Sequence, residues 1–290
     1  MSTDVDARPP ATVDVHSARS WLFVPGDRGD RFAKAAASGA DVVVCDLEDA
    51  VAADAKASAR AGVTRWLDKG GVACVRINAH GTPFYDADVS ALSGIPGLRA
   101  VMLPKAEDPR ALAELGDALG PDTAVVALVE TALGLHRAYD LASANRVARL
   151  AFGSIDFALD VGAEEAPTPM LFARSSLVVA SRAAGIAAPV DGVTVALDDP
   201  SVVAADAATA AGLGFGGKLC IHPRQVSAVN AAFSPSEEEV RRARRILDSV
   251  TDGGAGRLDG QMVDRPVVER ARLVLRRAGL EPVPDDPRRS

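Results

Sequence analysis

Cysteine is scarce in this chain. Only Cys45, Cys74 and Cys220 occur in 290 residues, each inside an apolar run, where a free thiol behaves as a small buried hydrophobe. A disulfide framework is excluded as the organising principle, and a reducing cytoplasmic setting fits. Aromatic residues make up 4 % of the chain and are not interleaved with clustered lysines and arginines, as a nucleic-acid surface would require. The formal charge is -7, from 32 Lys plus Arg against 39 Asp plus Glu, so nucleic acid is not an expected partner. No apolar run approaches the roughly 18 residues that mark a membrane-spanning helix, and no membrane partner is expected. The opening MSTDVDARPPATVDVHSA lacks a basic start and an apolar segment, so it reads as neither a signal nor a transit peptide. Residues 1–18 are expected to form a disordered tail.

Two familiar kinds of site are missing as well. His16, His80, His136 and His222 show no metal-ligand spacing, and none accompanies a serine in a G-x-S-x-G elbow, which leaves a His-Ser hydrolase without support. The stretch GLGFGGK (212–218) lacks the Walker spacing and precedes a strand, so it reads as a turn between helix and strand.

What is present is a repeating grammar. Short apolar runs recur at 21–24, 42–45, 72–77, 100–103, 124–129, 149–152, 188–193 and 216–221. Most are continuously apolar, as parallel strands covered on both faces should be. Ala-rich amphipathic stretches of helical length lie between them, at 52–68, 108–119, 171–185 and 199–214 among others. Eight β-α units in this length predict an α/β fold, a TIM (β/α)8 barrel over 19–233. Beyond it, SPSEEEVRRARRILDSV (234–250) and RPVVERARLVLRRAG (265–279) read as two helices with a Gly-rich connection. Residues 234–290 are therefore expected to be a C-terminal helical extension, a lid or a segment reaching a neighbouring subunit.

The polar residues fall at one kind of position. Asp46, Glu48 and Asp49 close strand 2, Arg76 and Asn78 close strand 3, and Pro104-Lys105 follows strand 4. Glu130 and Thr131 end strand 5, Asp156 follows strand 6, and His222 ends strand 8. In a barrel the C-terminal strand ends converge on one mouth, where chemistry usually sits. Carboxylates gathered there suit a hard cation such as Mg2+, which takes oxygen ligands and keeps waters and substrate oxygens. Asp46, Glu48, Asp49, Glu130 and Asp156 are the candidates, and Glu130 with Asp156 is the preferred pair because strands 5 and 6 are neighbours. The competing local roles are a helix N-terminal acid for Glu130 and a capping residue for Asp156. Arg76, on an otherwise apolar strand, needs an anionic partner. Glu48, Asp49 and a substrate carboxylate all qualify. Gly153 and Ser154 form a small turn whose N–H groups could receive a carboxylate oxygen.

A set of ordered motifs then points to one family. RSWLFVPGDRGDRFAKAAASGADVVVCDLEDAV, VRIN, VMLPKAE, VETALGL, LAFGSIDFALDVG, ARSSLVVASRAAGI, GFGGKLCIHPRQVSAVNAAFSPSEEEV and DGQMVDRPVVERARLVL resemble, in order, the citrate lyase beta subunit and its relatives in the HpcH/HpaI aldolase and citrate lyase superfamily. The resemblance runs over roughly 19–279. It implies a TIM barrel, often trimeric, with Mg2+ held by Glu130 and Asp156. It places Arg76 on the substrate's carboxylate or carbonyl oxygens, with Glu130, Gly153 and Ser154 beside it, and implies that Glu48 and Asp49 hold metal-bound waters and that arginine. In the related malyl- and citramalyl-CoA lyases, an Asp of a D-G-x-M-[IV]-D segment enters a neighbouring subunit's active site, and here it falls on Asp264. One departure is visible: Ile155 stands where relatives often carry an acid before the second metal ligand, which bears on acyl-group preference.

The implied activity is a Mg2+-dependent carbon-carbon lyase. It would cleave or condense a 3-hydroxy-3-carboxy-acyl-CoA, such as citramalyl-CoA or malyl-CoA, with an acyl-CoA and a 2-oxo acid (pyruvate, glyoxylate or oxaloacetate) on the other side. Arg76 and Asp264 are the implied catalytic residues, and Arg28 and Lys34 are candidates for CoA phosphates. The alternatives are the beta subunit of a citrate lyase complex acting on an acyl-carrier thioester, and a malyl-CoA thioesterase.

Overall fold

The computed structural model describes residues 14–249, 256–258 and 261–280. Eight strands, β1 (Ser20–Pro25), β2 (Val42–Asp46), β3 (Ala73–Arg76), β4 (Leu98–Leu103), β5 (Ala124–Val129), β6 (Val147–Phe152), β7 (Val190–Asp191) and β8 (Gly217–Cys220), close into a parallel barrel in chain order. Closure is made by β8 on β1, with Ser20 opposite Lys218 and Leu22 opposite Cys220. The strands are apolar on both faces because both are covered. Val42, Val44, Cys74, Met102, Val126 and Leu128 belong to one buried cluster, and every residue of β2 is buried.

The eight-stranded barrel is the expected fold, and β7 departs furthest from its expected length. The run at 188–193 yields only the two residues of β7. Pro189 has no N–H to give to a ladder, and its carbonyl accepts from Gly216 N–H at 2.9 Å. The helices start and stop where side chains take up the free backbone groups. Asp108 caps Pro109–Leu119 and Asp199 caps Pro200–Leu213, each accepting a backbone N–H two residues on.

The end of the barrel opposite the mouth is closed by a buried cation. Arg149, on β6, has no solvent exposure and donates to the carbonyls of Ala18 (2.6 Å), Ala188 (2.7 Å), Val15 (3.3 Å) and Pro189 (3.4 Å). Its guanidinium lies 5.7 Å from the Trp21 ring centroid. Of the expected tail, residues 1–13 lie outside the described residues, whereas 14–18 form a turn with Val15 and Ala18 buried. The carbonyls taken up by Arg149 are what fasten that turn.

The chain divides into two compact units, 1–230 and 231–290. The second contains the helix Glu237–Asp248, an antiparallel pair of short strands, Gly256–Leu258 with Gln261–Val263, and the helix Arg265–Arg277. Ser236 caps the first helix through a reciprocal bond with Glu239. The two helices share a small core of Ala243, Ala271 and Leu275.

Candidate active site

Strand register brings the acid segment after β2 against Arg76. Asp46 and Arg76 end adjacent strands as Cα partners, so their side chains project from the same face of neighbouring strands. Arg76 grips Asp46 with two parallel bonds, Nε to Oδ1 at 2.8 Å and Nη2 to Oδ2 at 2.6 Å, the bidentate geometry that guanidinium favours. The same carboxylate builds the following turn by accepting the N–H groups of Glu48 (2.9 Å) and Ala50 (3.2 Å). Asp46 therefore both holds the turn and orients the arginine. The Phe23 ring lies 4.9 Å from the guanidinium carbon and packs against it.

The third nitrogen of Arg76 faces the other two acids. Nη1 lies 3.2 Å from Glu48 Oε2 and 3.8 Å from Asp49 Oδ2. Glu48 is buried, and its Oε2 makes no hydrogen bond of good geometry; the Asp49 side chain is 65 % exposed. The two expected partners of Arg76 are thus unequal, one packed beneath it and one at the rim. Burial, and then the neighbouring acids, outweigh Arg76 and push the Glu48 carboxyl up to about 7. Below, Lys56 Nζ donates to the carbonyls of Leu47 (2.8 Å) and Glu48 (2.7 Å), fixing the loop that carries the acids.

Glu130 follows β5 and Asp156 follows β6, strands that pair up to Val129 opposite Phe152. Glu130 is buried, and its Oε1 accepts the backbone N–H of Lys105 at 2.8 Å. Its other oxygen lies over Gly153: a Cβ there would come within 2.5 Å of Oε2 and 2.6 Å of the Glu130 Cβ. Glycine is required at 153 for space, since its φ of -89° is open to any residue. Burial first, and then the charges of Glu48 and Asp156, push the Glu130 carboxyl up to about 8 against the Lys105 N–H and Arg76. Asp156 lies in the first turn of the helix Ser154–Val161, which has no side-chain cap, so its competing role as a cap is not the one taken. The Ser154 hydroxyl donates to Glu165 at 2.7 Å, leaving its backbone as its contribution to the mouth. Glu165 is a residue the sequence reading missed; it sits in an acidic loop without a pattern to mark it.

Several other strand-end residues turn to structural work. Asn78 donates twice to the buried Asp88, which also binds Arg60. His222 accepts the Arg224 N–H through Nδ1 and caps a short turn. Arg28 pairs with Asp30 at the surface, and Lys34 lies exposed in the last turn of its helix. Asp264 lies in the second unit, exposed, as the cap of Arg265–Arg277, with Oδ1 accepting the Val267 N–H at 3.2 Å.

The donor set suits a particular kind of metal site. Among the described residues no three His, Cys, Asp or Glu side chains form a ready-made metal cage. The charge of Asp156 nevertheless reaches Glu130 from the adjacent strand end and raises its proton affinity, and an orphaned carboxylate oxygen of Glu48 lies nearby. Two carboxylates at adjacent strand ends match Mg2+, which takes oxygen ligands and sheds its waters reluctantly.

Known proteins carry the same architecture. The HpcH/HpaI aldolase/citrate lyase family model matches residues 19–223, and a model described as a C-C bond lyase of the TIM-barrel fold matches 199–281. A citrate lyase subunit beta-like protein of Deinococcus radiodurans is 38 % identical, with 89 % of this chain and 96 % of that protein covered. The L-malyl-CoA/beta-methylmalyl-CoA lyase of Cereibacter sphaeroides is 33 % identical over 96 % of this chain and 98 % of its own. The crystal structure of the protein CitE from Mycobacterium tuberculosis, in complex with magnesium, acetoacetate and coenzyme A, superposes with a TM-score of 0.78 at 38 % identity, covering 91 % of this chain and 98 % of that one. On matches of this extent, the chain belongs to the HpcH/HpaI aldolase/citrate lyase family of carbon-carbon lyases.

Proposed function

We propose that this lyase cleaves, or forms by the reverse condensation, a 3-hydroxy-3-carboxy-acyl-CoA such as citramalyl-CoA or malyl-CoA, with an acyl-CoA and a 2-oxo acid as the other side of the reaction. The observation that carries the reading is the constellation at one mouth: Arg76 locked by Asp46 and Glu48, beside Glu130 and Asp156. The likeness to proteins that bind magnesium with small oxo acids and coenzyme A supports it. Glu130 and Asp156 would hold Mg2+, which supplies Lewis acidity to the oxygens of the 2-oxo acid half. In the cleavage direction the substrate hydroxyl passes its proton to water as the carbon-carbon bond breaks, and the bonding pair passes to the thioester enolate. Arg76 is pre-oriented because Asp46 occupies Nε and Nη2, leaving Nη1 for oxygen charge that develops on the substrate. Gly153 and the backbone of Ser154 border the substrate's carboxylate. Glu48 and Asp49 hold Arg76 and water near the metal.

Asp264 is the proposed acid that protonates the enolate carbon, supplied by a neighbouring subunit of a homotrimer. Its exposure and the single oxygen used for capping leave the other oxygen available. Self-association is supported by apolar side chains left in the open on two successive helices, Leu159 at 81 %, Phe172 at 76 % and Val179 at 67 % exposure. Three buried free thiols support a cytoplasmic setting, and no helix among the described residues is long and apolar enough to cross a membrane.

The test is incubation of the purified protein with Mg2+ and a panel of hydroxyacyl-CoAs, following 2-oxo acid release. Turnover of citramalyl-CoA or malyl-CoA is the expected result. No cleavage of any member, with metal shown to be bound, overturns the stand-alone lyase. Turnover confined to carrier-protein thioesters would assign the chain to a citrate lyase complex, and free thiol with intact malate would make it a thioesterase.

A further inference from the structure

Five carboxylates, Asp46, Glu48, Asp49, Glu130 and Asp156, gather around one guanidinium at the mouth. Such a mouth is predominantly acidic, and a second cation beside Arg76 would favour the approach of an anionic substrate. One further cation stands in the right place. Lys105 follows β4, the strand lying between β3, which carries Arg76, and β5, which leads to Glu130. Its backbone N–H is bonded to Glu130, so the residue is anchored to the proposed metal ligand. Its side chain is exposed, and among the described residues its ammonium is in no ion pair, although it acts electrostatically on Glu48. The anchoring has a conformational cost: Lys105 has φ +49°, a left-handed backbone that L-residues with long side chains seldom adopt. A glycine would take that conformation more easily. A lysine held there carries its ammonium within electrostatic reach of Glu48.

We infer that Lys105 is a substrate-binding residue whose ammonium pairs with the carboxylate of the 2-oxo acid fragment. This deepens the lyase reading and rests on it. Arg76 cannot perform that task as well, since two of its three nitrogens are committed to Asp46 and Nη1 is the one left for the developing oxygen charge.

The decisive variant is Lys105→Gly, which suits the left-handed backbone, keeps the N–H to Glu130 and removes only the ammonium; Lys105→Arg is its charged counterpart. Pyruvate affinity is measured by calorimetry at saturating Mg2+, with Mg2+ affinity measured separately. The expected result is a loss of about tenfold or more in pyruvate affinity in Lys105→Gly, as a charge-assisted bond predicts. Mg2+ affinity should stay within about twofold, and Lys105→Arg should recover most of the loss. For the unaltered enzyme and Lys105→Gly in the condensation direction, the pyruvate KM should rise while kcat changes little. Unchanged pyruvate affinity overturns the inference, as does a parallel loss of Mg2+ affinity, which would make Lys105 a prop for Glu130. Absence of pyruvate binding to the unaltered protein overturns it too. Turnover of the CoA panel by the unaltered protein reports independently on the lyase reading, so the two can fail separately.

Discussion

Two arginines occupy opposite ends of this barrel, and they are treated in opposite ways. Arg149 is sealed at the bottom with neutral partners, four backbone carbonyls and an indole face. Burial pulls its pKa down to about 9, with only distant help from Asp14. Arg76, at the mouth, is also drawn down by burial, but its bonds to Asp46 and the charges of Asp46, Glu48 and Asp49 more than reverse this and leave its pKa raised. One end gives every nitrogen of a cation a hydrogen bond without balancing its charge. The other surrounds a cation with more negative charge than it can neutralise. The first arrangement is what closure of a fold requires, and the second is a site that wants further cations and an anionic ligand.

The comparison can be broken by exchanging the two arginines for apolar residues. Arg76→Met should lower lyase turnover by about 100- to 1000-fold, the cost of removing a group proposed to meet developing oxygen charge, and should also lower the denaturant midpoint because Asp46 is left buried without its partner. Arg149→Leu should act on stability alone. It leaves carbonyls buried without partners and is expected to cost roughly 3 kcal/mol in chemical denaturation, while kcat of the folded protein is retained. A bottom variant that lost turnover at full stability would end the division between the two ends. A smaller change sharpens it: Gly153→Ala pushes a Cβ onto Glu130 and should weaken Mg2+ binding by about tenfold in a metal titration.

Much of the barrel was legible because parallel strands covered on both faces leave unbroken apolar runs, as at 42–45 and 124–129. β7 was overdrawn because Pro189 ends the ladder while looking like part of an apolar segment. The mouth was legible as a set of strand-end charges, and the adjacency of Glu130 and Asp156 follows from strand order. What each side chain does there was less so. Asp46 was one acid among five candidates for the cation, and its grip on Arg76 was not legible because the bidentate contact depends on the register between residues 30 apart. Arg149 passed as one polar residue in a strand. Its carbonyl cage comes from segments as far as 134 residues away, and nothing local announces it.

The bottom closure also orders events in time. Ala18 leaves the ribosome long before Arg149, and Arg149 before the carbonyls of Ala188 and Pro189. The first strand must likewise wait for β8 before its open edge is paired. Contacts of such long sequence separation are slow to form, so through most of synthesis the nascent chain has an unpaired edge on its first strand. The charged rim differs: Asp46 with Arg76 and Lys105 with Glu130 are contacts between neighbouring strands, within reach before the far end can be shut.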